Sequence, residues 1–212
     1  FHAVKNLTTA EGGAICINLP KPFSNNDIYK ELNTLSLHGQ NKDALAKTQK
    51  GSWEYDVVDA GFKCNMTDIL ASIGLVELDR YESETLPKRK AIFKKYSDLL
   101  KIYNWASIPH HIDDERESSY HLYLLKIKNI SLEQRNSIIQ EIFEKNVSVN
   151  VHYKPLPLLS FYKTLGYKIE DYPVAEQTWE SEISLPVYFD LSLKQVEEVV
   201  NVLVNAVEKF IK

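Results

Sequence analysis

Residues 1–13 read FHAVKNLTTAEGG and place a lysine, Lys5, in a short polar turn that leads through Glu-Gly-Gly into an apolar run. A free lysine amine is protonated at neutral pH, so it becomes a useful nucleophile only where burial or a neighbouring cation lowers its pKa. Sites that bind an aldehyde covalently use such an amine, which forms an imine with it. Taken alone, the segment allows two interpretations, a reactive lysine or a solvated surface lysine.

Downstream of this segment, the first part of the chain predicts a strand, helices and a loop. The apolar run at 14–19 is typical of a buried strand. Ser24 is expected to cap a helix that stops at Gly39, and the polar residues 40–52 predict a solvated loop. A further helix should begin near Thr67 and bury an apolar face formed by Ile69, Ile73 and Val76. Pro87 suits the first turn of another helix, which should run to about Tyr103.

The second part of the chain predicts a small α+β module. Residues 109–119 are polar and irregular, as in a linker. Beyond them strands are predicted at 120–128, 147–151 and 183–187, and helices should begin at the capping residues Ser131 and Ser192. We expect these helices to pack on one side of a small sheet.

Composition excludes several classes of protein. A chain of 212 residues with 44% hydrophobic residues can bury a core, and a net charge of −4 argues against nucleic acid as a partner. No apolar run is long enough for a membrane span and no secretion signal is present, so we expect a cytoplasmic protein. Two isolated cysteines predict neither a disulfide framework nor a zinc site.

The lysine segment closely resembles the lysine motif of the DegT/StrS family of sugar aminotransferases, SFHxxKN(I/L)TxxEGG, at every position from Phe1 onward. Further segments follow in the family's order and approximate spacing. They are HG at 38–39, GFKCNMTDI at 61–69, SYHLY at 119–123, VHY at 151–153 and SLPV at 184–187. A single match of this kind would be weak, whereas the ordered set is specific.

The resemblance implies an α/β fold of fold-type I, with residues 1–105 as the end of the large domain and 106–212 as a small C-terminal α+β domain. It also implies that Lys5 attaches pyridoxal 5′-phosphate (PLP) covalently and later moves the proton during transamination of a nucleotide-linked keto-sugar. A related branch of sugar dehydratases carries His at this position, so Lys5 favours transamination. A dehydratase, or a non-catalytic binding protein with the same fold, is the alternative.

Two further pairs of residues are candidates for binding. In the family the loop at 61–68 helps to bind the PLP phosphate in the neighbouring subunit, and here Lys63 and Asn65 could supply a charge and an amide, with Cys64 in place of an aromatic residue. Asn65 could instead simply cap a helix. His152 and Tyr153 match a segment near the nucleotide sugar, or could only pack against the following Pro-rich loop. We predict no metal site, because His110 and His111 lack a spaced ligand set.

The chain begins without an initiator Met, and the family's upstream residues, which pair with the pyridine nitrogen and bind phosphate, do not occur in it. We therefore expect it to be the C-terminal portion of a longer enzyme and inactive alone. The parent is expected to be a homodimer with shared active sites that uses an amino donor such as glutamate. The GFKxN variant favours a 4-keto sugar of a surface polysaccharide.

Overall fold

The computed structural model describes residues 1–41 and 54–211, and it contains two compact units, Phe1–Asp79 and Arg80–Lys212. Residues 42–52 of the predicted polar loop lie outside the described residues. The predicted division of the whole protein into domains at residue 105 falls inside the second unit and stays a prediction. Within the described residues no helix has the length and apolar character needed to cross a membrane.

The described residues of the first unit, 1–41 and 54–79, include two helices, α1 (Asn25–Ser36) and α2 (Asp68–Asp79). The α1 start is confirmed, because the Ser24 side chain accepts a hydrogen bond from the Asp27 backbone N–H. The chain leaves α1 through Gly39 at φ 71°, where a Cβ would lie 1.8 Å from the Asp59 carbonyl oxygen. Helix α1 ends at Ser36, and the positive φ of His38 and Gly39 turns the chain away from the helix just after it.

Two predictions for the first unit are wrong. Residues 14–19 form no strand, since they have no ladder partner among the described residues and Ile15 is 73% exposed. Helix α2 exists, but it buries none of its residues in this unit, and Ile69 is 75% exposed. Apolar periodicity indicates that a face will be covered, and it does not indicate by which segment.

The second unit packs three long helices on a three-stranded antiparallel sheet. The helices are α3 (Leu86–Leu100), α4 (Leu132–Glu144) and α7 (Leu193–Phe210), with the short helices α5 (Ser160–Thr164) and α6 (Pro173–Ser181) between the last two. The strands are β1 (Ala106–Ser107), β2 (Tyr123–Ile127) and β3 (Glu182–Leu185), in the order β1-β2-β3. Short 3-10 helices occur at Leu156–Leu158 and Ile169–Asp171, and a short π-helix occurs at Tyr81–Thr85.

Local sequence signals account for the long helices. Ser131 and Ser192 each form a capping box with the glutamine three residues later, as predicted, and Pro87 occupies the first turn of α3. The core lies where α7 packs against α3 and α4. Its fully buried side chains include Ile138, Leu203 and Tyr123. The mixed helix-and-sheet class is confirmed.

The predicted strand at 147–151 is wrong. Only Asn150 pairs there, through an isolated antiparallel bridge to Ser184 of β3. The three alternating valines are not equally covered. Val149 is buried, at 8% exposure, while Val147 and Val151 are half-buried. A single bridge beside β3 nevertheless fixes the position of the residues that follow it.

Tyr123 gives the second unit a specific pH dependence. Burial raises the pKa of Tyr123 to about 12, although its hydrogen bond with Ser97 at 3.0 Å opposes the shift. A tyrosine whose pKa is raised on folding stabilises the fold fully below its unfolded pKa, and this contribution is lost as pH rises through the folded pKa. We expect about 1 kcal/mol of stability to be lost between pH 9 and 11 through this group.

Urea unfolding followed by circular dichroism at pH 9 and pH 11 measures this loss. Tyr123→Phe is the matched variant, because it keeps the ring contact with Phe93, centroid to centroid 5.1 Å, and removes only the titrating hydroxyl. The variant should lose less stability than the parent over this range. Equal losses in both proteins would contradict the assignment.

Candidate active site

The Lys5 segment forms a closed turn in the first unit. The Lys5 backbone N–H donates to the His2 carbonyl at 2.9 Å, and the Thr9 N–H donates to the Phe1 carbonyl at 3.0 Å. Thr9 is fully buried, and its hydroxyl donates to the Glu11 carbonyl at 2.6 Å. The backbone of the turn is therefore fixed, while the Lys5 side chain is exposed.

The turn packs against the loop at 61–68. Gly12 adopts φ 149°, and a Cβ there would lie 2.4 Å from Met66 Cε and 2.7 Å from Thr9 Oγ1. Only glycine fits this close approach. The second glycine of Glu-Gly-Gly is different, because nothing lies within 4 Å of a Cβ on Gly13. Gly12 thus brings the lysine segment and the 61–68 loop together.

The backbone of the 61–68 loop is held by the end of α1. The His38 N–H donates to the Phe62 carbonyl at 2.8 Å, and the Cys64 N–H donates to the Ser36 carbonyl at 3.0 Å. Leu37 and Lys63 form an antiparallel bridge. The side chains of residues 62–65 are exposed, with Phe62 at 70% exposure, whereas Met66 is half-buried. The backbone of the loop is therefore anchored to the end of α1.

Lys63 and Asn65 act as a pair. The Lys63 ammonium donates to Asn65 Oδ1, which leaves the other ammonium protons and the Asn65 amide nitrogen as the donors that the pair can offer. Asn65 lies in the exposed loop, two residues before Thr67. The hydrogen bonds of α2 start at Thr67, whose carbonyl accepts the Ala71 N–H. A point charge beside an amide donor suits a phosphate group.

His152 and Tyr153 lie in the second unit, where their rings meet edge to face with centroids 4.6 Å apart. They line a cleft of about 570 Å³ together with Tyr172, Trp179 and Glu182. Tyr153 is 67% exposed, while His152 is half-buried. The two predicted substrate-binding residues are therefore adjacent in space and open to the same cleft.

Two polar residues beneath His152, Glu182 and Ser184, were missed as site residues by sequence reasoning. Glu182, only 1% exposed, accepts the His152 backbone N–H on Oε2 at 2.9 Å, and its Oε1 accepts the Ser184 hydroxyl. The Ser184 Oγ also lies 2.7 Å from His152 Nδ1. Alternation along β3 could have placed Glu182 and Ser184 on one face, but only the bridge to Asn150 brings them to His152.

Burial raises the pKa of Glu182 above its usual range, although the hydrogen bonds from Ser184 and from the His152 backbone and the positive charge of Arg135 oppose the shift. Arg135 is itself 3% exposed, and its guanidinium lies 5.6 Å from the centre of the Trp179 ring. The floor of the cleft is thus a buried acid with a buried cation facing it. Such networks are most often found where a side chain must be held in one orientation.

The histidines of the 109–119 segment have structural partners. His110 Nε2 lies 2.9 Å from Asp113 Oδ2, and His111 Nδ1 lies 2.8 Å from the Pro109 carbonyl. Asp113 also accepts from the Arg116 guanidinium at 3.0 Å. Residues 1–41 and 54–211 contain no group of three potential metal ligands.

The fold and these segments define a class. Residues 1–204 match the DegT/DnrJ/EryC1/StrS aminotransferase family, and the chain belongs to that family. The match confirms the resemblance found in the lysine segment.

Individual relatives agree with this assignment. A protein of Streptococcus pneumoniae assigned as a sugar aminotransferase, solved in its PMP form, superposes with a TM-score of 0.91 at 47% identity, over 100% of this chain and 52% of that one. The spore coat polysaccharide biosynthesis protein SpsC of Bacillus subtilis is 31% identical over 94% of this chain and 50% of its own length. A Campylobacter jejuni UDP-4-amino-4,6-dideoxy-N-acetyl-beta-L-altrosamine transaminase is 29% identical over 99% and 51%. The chain thus spans about half the length of the relatives it matches.

Proposed function

We propose that the full-length protein is a PLP-dependent aminotransferase that converts a nucleotide-linked keto-sugar into an amino-sugar. The observation that carries the proposal is Lys5, an exposed amine on a hydrogen-bonded turn that packs against the 61–68 loop through Gly12. The Streptococcus pneumoniae relative has been solved in both PLP and PMP forms, the two states of the cofactor in transamination. Lysine at this position, rather than histidine, favours transamination over dehydration.

The residues present fit the cofactor. Lys5 would attach it covalently, and the Lys63–Asn65 pair offers donors to its phosphate, which we propose belongs to the site of a neighbouring subunit in a homodimer. PLP, when bound, supplies the aldehyde that carries the amino group and the conjugated ring that accepts electrons. The Lys5 amine would move the proton to and from the substrate carbon.

The names of two relatives and the cleft of the second unit support the proposed substrate class. The Campylobacter jejuni relative is named for a UDP-linked amino-sugar, and the Bacillus subtilis relative for polysaccharide biosynthesis. His152 and Tyr153 provide hydrogen-bonding groups at an open cleft that suits a sugar nucleotide. We propose a 4-keto sugar as acceptor, glutamate as donor, a role in surface polysaccharide synthesis and a cytoplasmic location.

The test is to incubate the full-length protein with PLP, glutamate and a panel of UDP- and dTDP-linked keto-sugars, and to identify products by mass spectrometry. We expect an amino-sugar and 2-oxoglutarate in equal amounts. The 212-residue chain, assayed in parallel, should neither hold PLP nor turn over. A full-length protein that binds PLP but aminates no sugar of the panel would contradict the proposed substrate class.

A further inference from the structure

We propose that Glu182 and Ser184 hold His152 as the tautomer with its proton on Nδ1, so that Nε2 is an acceptor for a hydroxyl group of the substrate. The inference rests on the proposed function only for the identity of that substrate. The hydrogen-bond geometry that leads to the tautomer belongs to the second unit by itself.

The direction of the hydrogen bonds around Glu182 decides which ring nitrogen of His152 carries the proton. Both carboxylate oxygens receive donors, Oε2 from the His152 backbone N–H at 2.9 Å and Oε1 from the Ser184 hydroxyl. A serine hydroxyl has one proton, and it is used on Glu182. Ser184 Oγ can therefore only accept at its other contact, and the donor is His152 Nδ1 at 2.7 Å. The proton of the neutral ring thus lies on Nδ1.

Asn150 leads to the same tautomer from the other side of the ring. Its Oδ1 accepts the Val151 N–H at 2.8 Å, and this contact fixes the orientation of the amide. The amide nitrogen, a donor, then lies 3.5 Å from His152 Nε2, a long contact. A donor facing Nε2 fits a lone pair there and opposes an N–H bond.

The backbone keeps these groups in register. Asn150 and Ser184 exchange two backbone hydrogen bonds, of 3.1 and 2.8 Å. Glu182 and Ser184 both belong to β3, so the sheet of the second unit holds the two side chains that contact His152. The imidazole therefore takes its orientation from the core.

The tautomer decides which ligand group His152 can bind. An Nε2 lone pair accepts a hydrogen bond from an O–H group and repels the oxygens of a phosphate. The Nε2 lone pair accepts one hydrogen bond, so a ligand hydroxyl would take the place of the long 3.5 Å contact from the Asn150 amide. In a sugar nucleotide, hydroxyls occur on the transferred sugar and on the ribose. Glu182 acts through His152 and is a positioning residue.

The tautomer is measured by ¹⁵N NMR of the full-length protein labelled at histidine, at neutral pH and without substrate. The His152 signals are assigned by their loss in His152→Phe. We expect Nδ1 to carry the proton and Nε2 to be unprotonated. A ring protonated on Nε2, alone or together with Nδ1, overturns the proposal. The result does not depend on activity, so it is separate from failure of the proposed function.

Glu182→Gln tests the cause. Its amide oxygen would accept the His152 N–H, its amide nitrogen would donate to Ser184 Oγ, and Ser184 would then donate to Nδ1. The proton should move to Nε2. Glu180→Gln is the matched control, because Glu180 also faces Arg135 electrostatically and has no hydrogen bond to Ser184 or His152. An unchanged tautomer in folded Glu182→Gln, or a change in Glu180→Gln, overturns the role of Glu182.

The source of the hydroxyl is tested with UDP- and dTDP-linked forms of one keto-sugar, since deoxyribose lacks the 2′-hydroxyl. His152→Phe should raise KM about tenfold. A rise for the UDP form alone assigns the hydroxyl to the 2′-position of the ribose, and a rise for both nucleotides assigns it to a hydroxyl that the two share, on the transferred sugar or at the 3′-position. No change in either KM overturns the role of His152 in substrate binding.

Discussion

Replacing Lys5 with alanine in the full-length protein is expected to abolish covalent attachment of PLP and to lower transamination by at least on the order of 10³-fold. The reason is that one amine has two tasks, to hold the cofactor and to move the proton at the substrate carbon. The backbone of the turn does not depend on the side chain, since its hydrogen bonds from Lys5 and Thr9 are made by main-chain groups. The variant should therefore fold normally.

The measurement has a direct and a kinetic part. Borohydride reduction followed by peptide mass spectrometry should find the cofactor on Lys5 in the parent, and the visible absorbance of lysine-bound PLP should be lost in Lys5→Ala. Lys30→Ala, at an exposed position of α1, is the control and should change neither. A small primary amine added to Lys5→Ala should restore part of the proton transfer. Cofactor found on another lysine would contradict the assignment.

Much of the second unit could be predicted because its signals are local. The capping boxes at Ser131 and Ser192 satisfy helix N–H groups within four residues, and the buried face of α7 repeats at helical spacing. The helix α6, Pro173–Ser181, was missed, because it buries no residue and has no side-chain cap. The strand predicted at 147–151 failed because pairing depends on a distant segment, and only Asn150 meets β3.

In the candidate site, too, local motifs could be predicted and long-range contacts could not. Lys5, Lys63 and Asn65 were found through motifs that are continuous in the sequence. The structure places the two motifs side by side, where a Cβ on Gly12 would lie 2.4 Å from Met66 Cε. Their roles stay predictions. Glu182 could not be found, because its function as a hydrogen-bond acceptor beneath His152 depends on a contact across 30 residues of sequence. Long-range polar contacts of this kind leave no periodic pattern.

The second large effect is expected in the core, where Leu203→Ala should destabilise the second unit by about 2–5 kcal/mol. Leu203 has no exposed surface and lies on α7, the helix that packs against both α3 and α4. Truncation removes buried methyl groups and leaves a cavity that three packed elements cannot readily close.

Leu193→Ala is the matched control for Leu203→Ala, because it makes the same substitution in the same helix at a side chain that is 47% exposed. It should cost less than about 1 kcal/mol. Amide hydrogen exchange, read by mass spectrometry on peptides from β2 and α4, measures the opening of the second unit within the full-length protein. Exchange in Leu203→Ala should be faster than in the control by at least about tenfold, since about 1.4 kcal/mol corresponds to a factor of ten. Equal exchange in the two variants would mean that the burial of Leu203 on α7 does not hold the helices and the sheet of the second unit together.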